Sequence, residues 1–451
     1  MKTKIAILGF GMEGKDSLKY FLSKGASISI FDKKLENELD FEGVPKEKVE
    51  LFIGEKYDLK LLKNFDIIVR SPGVYRYLPK IKEAHEAGAE ITSAIKIFFE
   101  ECRGRIIGVT GTKGKGTTAS LIYQILKEGK KDVYLAGNIG IAYLSLLPKI
   151  KNTSTVVLEM SSFQLIDMDV SPQIAVVLNI TSDHLDWHKD LKEYVDAKRN
   201  IVKFQKKSDD AVINADYEIP RSFAKETKAK VIFFSKDSPT NGCFIEGDEI
   251  ILVRGSEGIP LGKKHWLLLR GEHNLENVTA AISAVSILGI DEEIIKKVIF
   301  SFKGLEHRLE LVDSVGGVSF YNDSFATGPQ PTIAAVNSFE EPLTVILGGY
   351  DKKLDYEELG KEIAKKKNVV SVVLIGSVAE KIKKALTTAN FKGKILELGK
   401  ASMKKIVYEA FSNTPKGGVV LLSPAAASFD MFSNYKERGK KFKEAVFALG
   451  K

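Results

Sequence analysis

The sequence predicts an α/β protein of three domains. Two glycine-rich turns, at residues 9–14 and 111–118, each follow a β-branched apolar run and precede a helical pattern. Apolar runs of strand length alternate with helix-period segments along most of the chain, which implies mostly parallel sheets covered on both faces. The length, 451 residues, exceeds what one hydrophobic core supports.

The first domain spans residues 1–98. Residues 4–8 form an apolar strand that runs into GFGMEG, residues 9–14, and a helical pattern through Phe21; a second strand, 27–31, ends at Asp32. Gly9, Gly11 and Gly14 allow a tight turn and close phosphate approach, and Asp32 is placed to accept from a ribose or base. NAD, a flavin and another nucleotide all fit this fingerprint. A strand over 65–69 leads to Ser71, Pro72 and Gly73, a turn at a strand's C-terminal edge.

The second domain, 99–304, opens with a buried strand over 105–110 and GTKGKGTT: Gly111, Thr112, Lys113, Gly114, Lys115, Gly116, Thr117 and Thr118. In such a loop backbone N–H groups cradle phosphates, the lysine reaches the terminal phosphates and a following hydroxyl holds Mg²⁺. Gly116 takes the usual hydroxyl position, so Thr117 or Thr118 must supply that contact. After GNIG (137–140), a strand over 155–158 ends at Glu159, and one over 174–179 leads to Ser182, Asp183 and His184. Glu159 and His184 beside a phosphate loop can share a divalent cation, although each could simply cap its element. His188, beside Trp187, reads as a solvated loop residue, and Lys198 alone as a snorkelling surface charge. Residues 206–269 read as a small β flank, with turns at Asn241-Gly242 and Glu246-Gly247. A helix over 274–288 begins with Asn274 and Asn277, which present amides to a base or ribose, with helix capping by Asn274 as the alternative.

The third domain, 305–451, repeats the alternation with strands over 343–347, 369–375, 394–398 and 419–423, a second open parallel sheet whose loops carry polar clusters. Arg308 could hold phosphate charge, and Asp323 could pair with a ribose or with that arginine. Composition fits an ordinary globular protein, with 44% hydrophobic and 28% charged residues. The net charge of +8 is spread along the chain and forms no nucleic-acid patch. Two cysteines, Cys102 and Cys243, argue against a disulfide framework. No apolar run approaches the roughly 20 residues of a membrane span, and the N-terminus lacks a signal-peptide core. A cytoplasmic monomer is expected.

Together the motifs resemble the Mur ligase family, ATP-dependent amide-bond ligases of peptidoglycan precursor synthesis. The resemblance runs through GTKGKGTT, GNIG, LEMSSFQL (158–165), TSDHLDWH (181–188), YVDAK (194–198), GEHNLEN (271–277) and HR (307–308). It continues through NDSFATGP (322–329), GGYDK (348–352) and SPAAASFDMFSNYKERG (423–439). SSFQL, GGYDK and SPAAAS point to the members that add D-glutamate to UDP-N-acetylmuramoyl-L-alanine. The resemblance implies a Rossmann-like UDP-binding domain, a central P-loop ATPase-like domain and a Rossmann-like amino-acid domain. It implies that ATP phosphorylates the substrate carboxylate and the amine attacks the acyl phosphate.

By the same resemblance Lys115, His184, Lys198 and Lys352 are catalytic, and Thr117, Glu159, His184 and carbamylated Lys198 hold Mg²⁺. Asn274, Asn277, Arg308 and Asp323 join the phosphate loop in binding ATP. Gly9, Gly11, Gly14, Asp32, Ser71, Pro72, Gly73 and Asn138 take the UDP substrate, which removes the need for NAD. Thr327, Lys352, Ser428 and Tyr435 receive the amino acid. Three positions depart from the family pattern: Phe325 replaces a frequent lysine, Gly116 a serine or threonine, and Tyr435 a phenylalanine. The alternatives are an L-glutamate-adding variant, a folylpolyglutamate-synthase-like ligase, an NAD-dependent oxidoreductase and a non-catalytic UDP-sugar-binding relative.

Overall fold

The computed structural model describes residues 2–137 and 141–450. They form two compact units, Met1–Lys264 with Glu276–Ile299, and His265–Leu275 with Phe300–Lys451.

The first unit contains three sheets. Strands β1 (Lys4–Leu8), β2 (Ser27–Asp32), β3 (Val49–Ile53), β4 (Ile67–Arg70) and β5 (Glu90–Thr92) make an all-parallel sheet in the order β3-β2-β1-β4-β5. Ile5, Ala6, Ile7 and Leu8 are all buried, as expected of a parallel strand covered on both faces. The chain moves outward from β1 through β2 to β3, then returns to the other side of β1 as β4. That reversal opens a crevice at the strands' carboxyl ends, where the turns after β1 and β4 meet.

The second sheet contains β6 (Arg105–Thr110), β7 (Val133–Gly137), β8 (Thr155–Glu159), β9 (Ile174–Val177), β10 (Asp210–Asn214) and β11 (Lys230–Phe234). Its order is β11-β10-β9-β6-β8-β7, parallel throughout. The expected β flank over 206–269 is therefore too wide. Residues 210–214 and 230–234 extend the main sheet, because Ala211, Val212, Ile213 and Phe234 are apolar enough to be buried there. The flank itself is the antiparallel sheet of β12 (Cys243–Glu246), β13 (Glu249–Arg254) and β14 (Glu257–Lys263).

The two parallel sheets share a core in which Ile5, Ile7 and Phe98 join Tyr143, Leu158 and Met160. Two polar latches reinforce it. Arg70, 2% exposed, pairs with Asp167 and donates to the carbonyls of Ser71 and Val74. Asp16 accepts from the backbone N–H groups of Leu144 at 2.8 Å and Ser145 at 3.1 Å. Buried charges of this kind persist only when fully partnered; here they fix the first sheet against the second.

The second unit is built on β15 (Glu310–Val315), β16 (Val318–Asn322), β17 (Leu343–Gly348), β18 (Val369–Ile375), β19 (Lys394–Gly399) and β20 (Val419–Leu422). The order is β15-β16-β20-β17-β18-β19. The expected open parallel sheet needs one correction: β15 pairs antiparallel with β16, and the remaining pairs are parallel. Gly316 and Gly317, at φ of 59° and 81°, supply the two positive φ values that a two-residue hairpin turn requires. Leu343, Val345 and Leu347 face one core while Ile346 faces the other, following the strand period of two. No described helix is long and apolar enough to cross a membrane.

Candidate active site

In the first unit a cavity of about 850 Å³ lies over the carboxyl ends of both parallel sheets. It is lined by Gly9, Gly11, Asp32, Ser71, Pro72 and Gly73 from the first sheet and by Lys115, Glu159 and His184 from the second. The topology brings them together: β8 and β9 flank β6, so Glu159, the phosphate loop and the segment after β9 end side by side.

The first-sheet end is tightly built. Gly9 has φ of 88°, and a Cβ there would stand 3.0 Å from Ser71 Cβ. Ser71 Oγ donates to the Gly9 carbonyl at 2.7 Å. A Cβ on Gly14 would lie 2.3 Å from the Gly9 carbonyl oxygen, so Gly14 serves helix-to-turn packing and does not line the cavity. Asp32 accepts from the N–H groups of Phe10 at 2.7 Å and Lys34 at 2.9 Å while still lining the cavity. Asn138 lies outside the described residues.

The phosphate loop sorts its own hydroxyls. Thr112 Oγ1 donates to the Thr181 carbonyl at 3.0 Å and meets the Tyr194 hydroxyl at 2.9 Å, so it braces the loop against the segment after β9. Thr118 is buried and donates to Asn277 Oδ1 at 3.3 Å. Thr117 remains half-buried in the first turn of the helix Lys115–Glu128. Gly114, at φ of 85°, begins that helix, and a Cβ there would stand 2.1 Å from Asn277 Oδ1. Lys113 is exposed, Gly111 and Gly116 are buried, and Lys115 Nζ donates to the carbonyls of Gly111 at 3.1 Å and Thr112 at 3.0 Å.

Lys198 is no surface charge. Its helix, Leu191–Lys203, turns it inward to 1% exposure, where Nζ donates to the Gly111 carbonyl at 2.8 Å. Burial, and secondarily the positive charge of Lys115, holds this amine well below the ordinary lysine range; Asp183 and Glu159 oppose that shift. His188 is likewise buried rather than solvated. Nε2 meets Ser162 Oγ at 3.0 Å and the Phe163 ring stacks on the imidazole at 5.6 Å, and burial lowers its pKa. His184, in contrast, lines the cavity with φ of 52° and its ring 4.8 Å from Phe163.

Several residues here escaped the sequence reading. Ser161 and Phe163 line the cavity. Gln164 donates to Glu13 at 2.7 Å and to the Tyr143 hydroxyl at 2.9 Å, and accepts from the Ser161 N–H at 2.8 Å. The spacing Ser161-x-x-Gln164 is a capping box and was readable as one. Glu13, Gln164 and Ser161 thus connect the first glycine turn to the loop after β8. Burial raises the Glu13 carboxyl above the ordinary range.

In the second unit β16, β20 and β17 are neighbours, so the loops NDSFATG, SPAAAS and GGYDK emerge together. Gly348 N–H donates to the Pro424 carbonyl at 2.7 Å and Tyr350 N–H to that of Ala427 at 2.8 Å. Arg438, 1% exposed, ties two of these loops through Ser324 Oγ at 2.9 Å, the Ser324 carbonyl at 2.8 Å and the Ala426 carbonyl at 3.0 Å. Around this knot stand Thr327 (half-buried), Lys352 (exposed, Nζ 5.8 Å over the Phe429 ring), Ser428 (buried) and Tyr435 (half-buried). Asn274 donates to the Arg270 carbonyl at 2.6 Å from the first turn of the helix Glu272–Ser286. It is no N-cap: the helix begins before it, and its side chain donates here where a cap accepts. The unit division assigns Asn274 to the second unit and Asn277 to the first.

Asp323 is buried, accepts from Ser423 Oγ at 2.7 Å and the Leu309 N–H at 3.2 Å, and burial pushes its pKa up to about 7. A carboxyl raised from an unfolded value near 4 binds more protons folded than unfolded between those pH values, so stability falls as pH rises through that window. Replacing it with Asn removes the dependence. Asp323→Asn is expected to flatten the pH profile of denaturant unfolding between pH 5 and 8, where the parent loses up to about 3 kcal/mol. Parallel profiles for the two proteins would contradict this.

A phosphate loop, a carboxylate and an imidazole on one cavity with a second nucleotide-type turn define an enzyme acting on a nucleotide-linked substrate. The chain belongs to the Mur ligase family, whose members are ATP-dependent ligases. Residues 3–93 match the Mur ligase MurD-like N-terminal domain, 109–285 the Mur ligase middle domain and 307–426 the Mur ligase glutamate ligase domain. The chain is 44% identical to a UDP-N-acetylmuramoylalanine–D-glutamate ligase of Acetivibrio thermocellus, covering 99% of this chain and 96% of that protein. It is 40% identical to the enzyme of that name from Clostridium kluyveri, over 98% and 96%. Among solved structures, the UDP-N-acetylmuramate–alanine ligase of Thermotoga maritima shares the fold, with a TM-score of 0.60, 17% identity and 99% of each chain covered.

Proposed function

We propose that this protein joins D-glutamate to UDP-N-acetylmuramoyl-L-alanine at the expense of ATP, as the names of its relatives say of them. The observation that carries this reading is the shared cavity, in which a turn suited to a nucleotide diphosphate and a loop suited to ATP phosphates open onto the same space. A dehydrogenase would have no use for the second loop.

On this reading residues 1–98 hold the UDP end through Gly9, Gly11, Asp32, Ser71 and Gly73, with Gly14 keeping the turn compact and Asn138 serving the muramoyl part. Residues 99–304 hold ATP, and 305–451 the amino acid through Thr327, Lys352, Ser428 and Tyr435. Asn274, Asn277, Arg308 and Asp323 serve the nucleotide. Lys115 stabilises the charge on the transferring phosphoryl oxygens; the alanyl carboxylate takes the γ-phosphoryl group and ADP leaves. The amine of D-glutamate then attacks the acyl phosphate carbon, and phosphate departs from the tetrahedral intermediate. Lys352 offers a cation to the carboxylates of glutamate.

The donors fit a hard divalent cation. Glu159 and His184 line the cavity beside Lys115, and among the described residues the half-buried Thr117 hydroxyl, unlike those of Thr112 and Thr118, makes no side-chain hydrogen bond. Mg²⁺ held there supplies charge neutralisation at the phosphate oxygens. Lys198, depressed by burial, reacts as the neutral amine with CO₂ to give a carbamate and a proton, adding an anionic ligand. A cytoplasmic monomer is in keeping with such a precursor enzyme.

Phosphate release from ATP and Mg²⁺ with UDP-N-acetylmuramoyl-L-alanine, comparing D-glutamate, L-glutamate and no amino acid, tests the reading. Release dependent on D-glutamate, with product mass increased by one glutamyl residue, is the expected result. Equal release with L-glutamate removes the stereochemical part, and no release with either removes the ligase reading.

A further inference from the structure

Phe325 is a large apolar side chain that remains 41% exposed inside an otherwise buried loop, where Asp323, Ser324 and Ala326 are 7%, 0% and 1% exposed. The backbone leaves it little freedom. Its N–H donates to the His307 carbonyl at 3.0 Å, and Ser324 beside it is held by Arg438 and by the Tyr435 carbonyl at 2.8 Å. Hydrophobic burial does not explain an aromatic ring in that position.

Its contacts do. The Arg308 guanidinium carbon lies 3.8 Å from the ring centroid, and the Tyr435 ring meets Phe325 edge-on at 5.1 Å and 90°. His307 also packs against Tyr435, at 6.0 Å and 88°. Arg308 is itself exposed, and among the described residues its guanidinium makes no ion pair. An aromatic face holds a guanidinium through its flat surface, whereas a carboxylate partner would occupy its N–H fork. The in-plane donors therefore stay open to an anion while the group loses rotational freedom.

We propose that Phe325 is a positioning residue: its ring holds Arg308 with the donor fork open to a nucleotide phosphate and links that arginine to Tyr435. The inference rests on the reading of Arg308 as an ATP-phosphate contact. A cation at 325 would instead repel the arginine that the ring retains.

The test compares Phe325→Leu, Phe325→Trp and Phe325→Lys for binding of a non-hydrolysable ATP analogue by calorimetry and for KM and kcat in D-glutamate-dependent phosphate release. Phe325→Leu is expected to weaken analogue binding and raise KM for ATP roughly two- to fivefold, with the melting temperature little changed. Phe325→Trp should stay near the parent, and Phe325→Lys should be no better than Phe325→Leu. In an Arg308→Ala background Phe325→Leu should add nothing. Unchanged ATP binding in Phe325→Leu, recovery by lysine, or additive losses with Arg308→Ala would overturn the inference. A parent that binds the analogue but releases no phosphate with D-glutamate would instead remove the ligase reading, leaving the binding comparison able to judge the clamp.

Discussion

Lys115→Ala is expected to abolish D-glutamate-dependent phosphate release, by about 10³-fold, while leaving the UDP substrate bound to the first sheet's turn. The ammonium is the loop cation that lines the cavity beside Glu159 and His184. Two of its hydrogen bonds run to the carbonyls of Gly111 and Thr112, neutral acceptors that an anionic phosphate outcompetes for an ammonium. Loss of a cation aimed at charge that develops during transfer lowers kcat rather than substrate affinity. The loop should survive the change, because Thr112 remains anchored to the segment after β9 by its own hydroxyl. Turnover near that of the parent, or equal loss of UDP-substrate affinity, would refute the assignment.

The route from sequence to this site was uneven for physical reasons. Strands β1, β2, β6 and β8 were legible because parallel strands covered on both faces must be apolar throughout, and the glycine turns because phosphates demand bare backbone. Convergence of Glu159, His184 and Lys115 could be anticipated from strand ends alone. Burial of single polar residues was less accessible. Nothing in YVDAK distinguishes an inward lysine from an outward one until the helix has been docked, and Lys198 points inward because its face carries Tyr194, Val195, Ile201 and Val202. Apolar periodicity across that helix held the information, but the lysine was weighed alone. His188 failed similarly, since its shelter comes from Phe163, a residue of the separate short helix Ser162–Leu165. The hairpin of β15 and β16 was missed although Gly316-Gly317 between two β-rich runs is a strong local signal. Expectation of βα alternation outweighed it.

Lys198→Arg is expected to cost about 100-fold in ligase activity even though arginine can still donate to the Gly111 carbonyl. Two roles are open to a lysine in this place. As a strut it would only brace the phosphate loop through the 2.8 Å hydrogen bond, and arginine would substitute for it. As a carbamate it would need a neutral amine, and burial provides one by holding the group well below its usual range. The sign of the pH effect follows: a lysine lowered in the folded state has fewer bound protons than in the unfolded chain, so protonation on acidification both destabilises the fold and removes the nucleophile for CO₂. Activity should therefore fall on acidification and on rigorous removal of CO₂, and return when bicarbonate is added. A carbon-13 carbamate resonance should appear with labelled bicarbonate in the parent and be absent in Lys198→Arg. Full activity in the arginine variant, with no response to CO₂ in the parent, would reduce Lys198 to the strut.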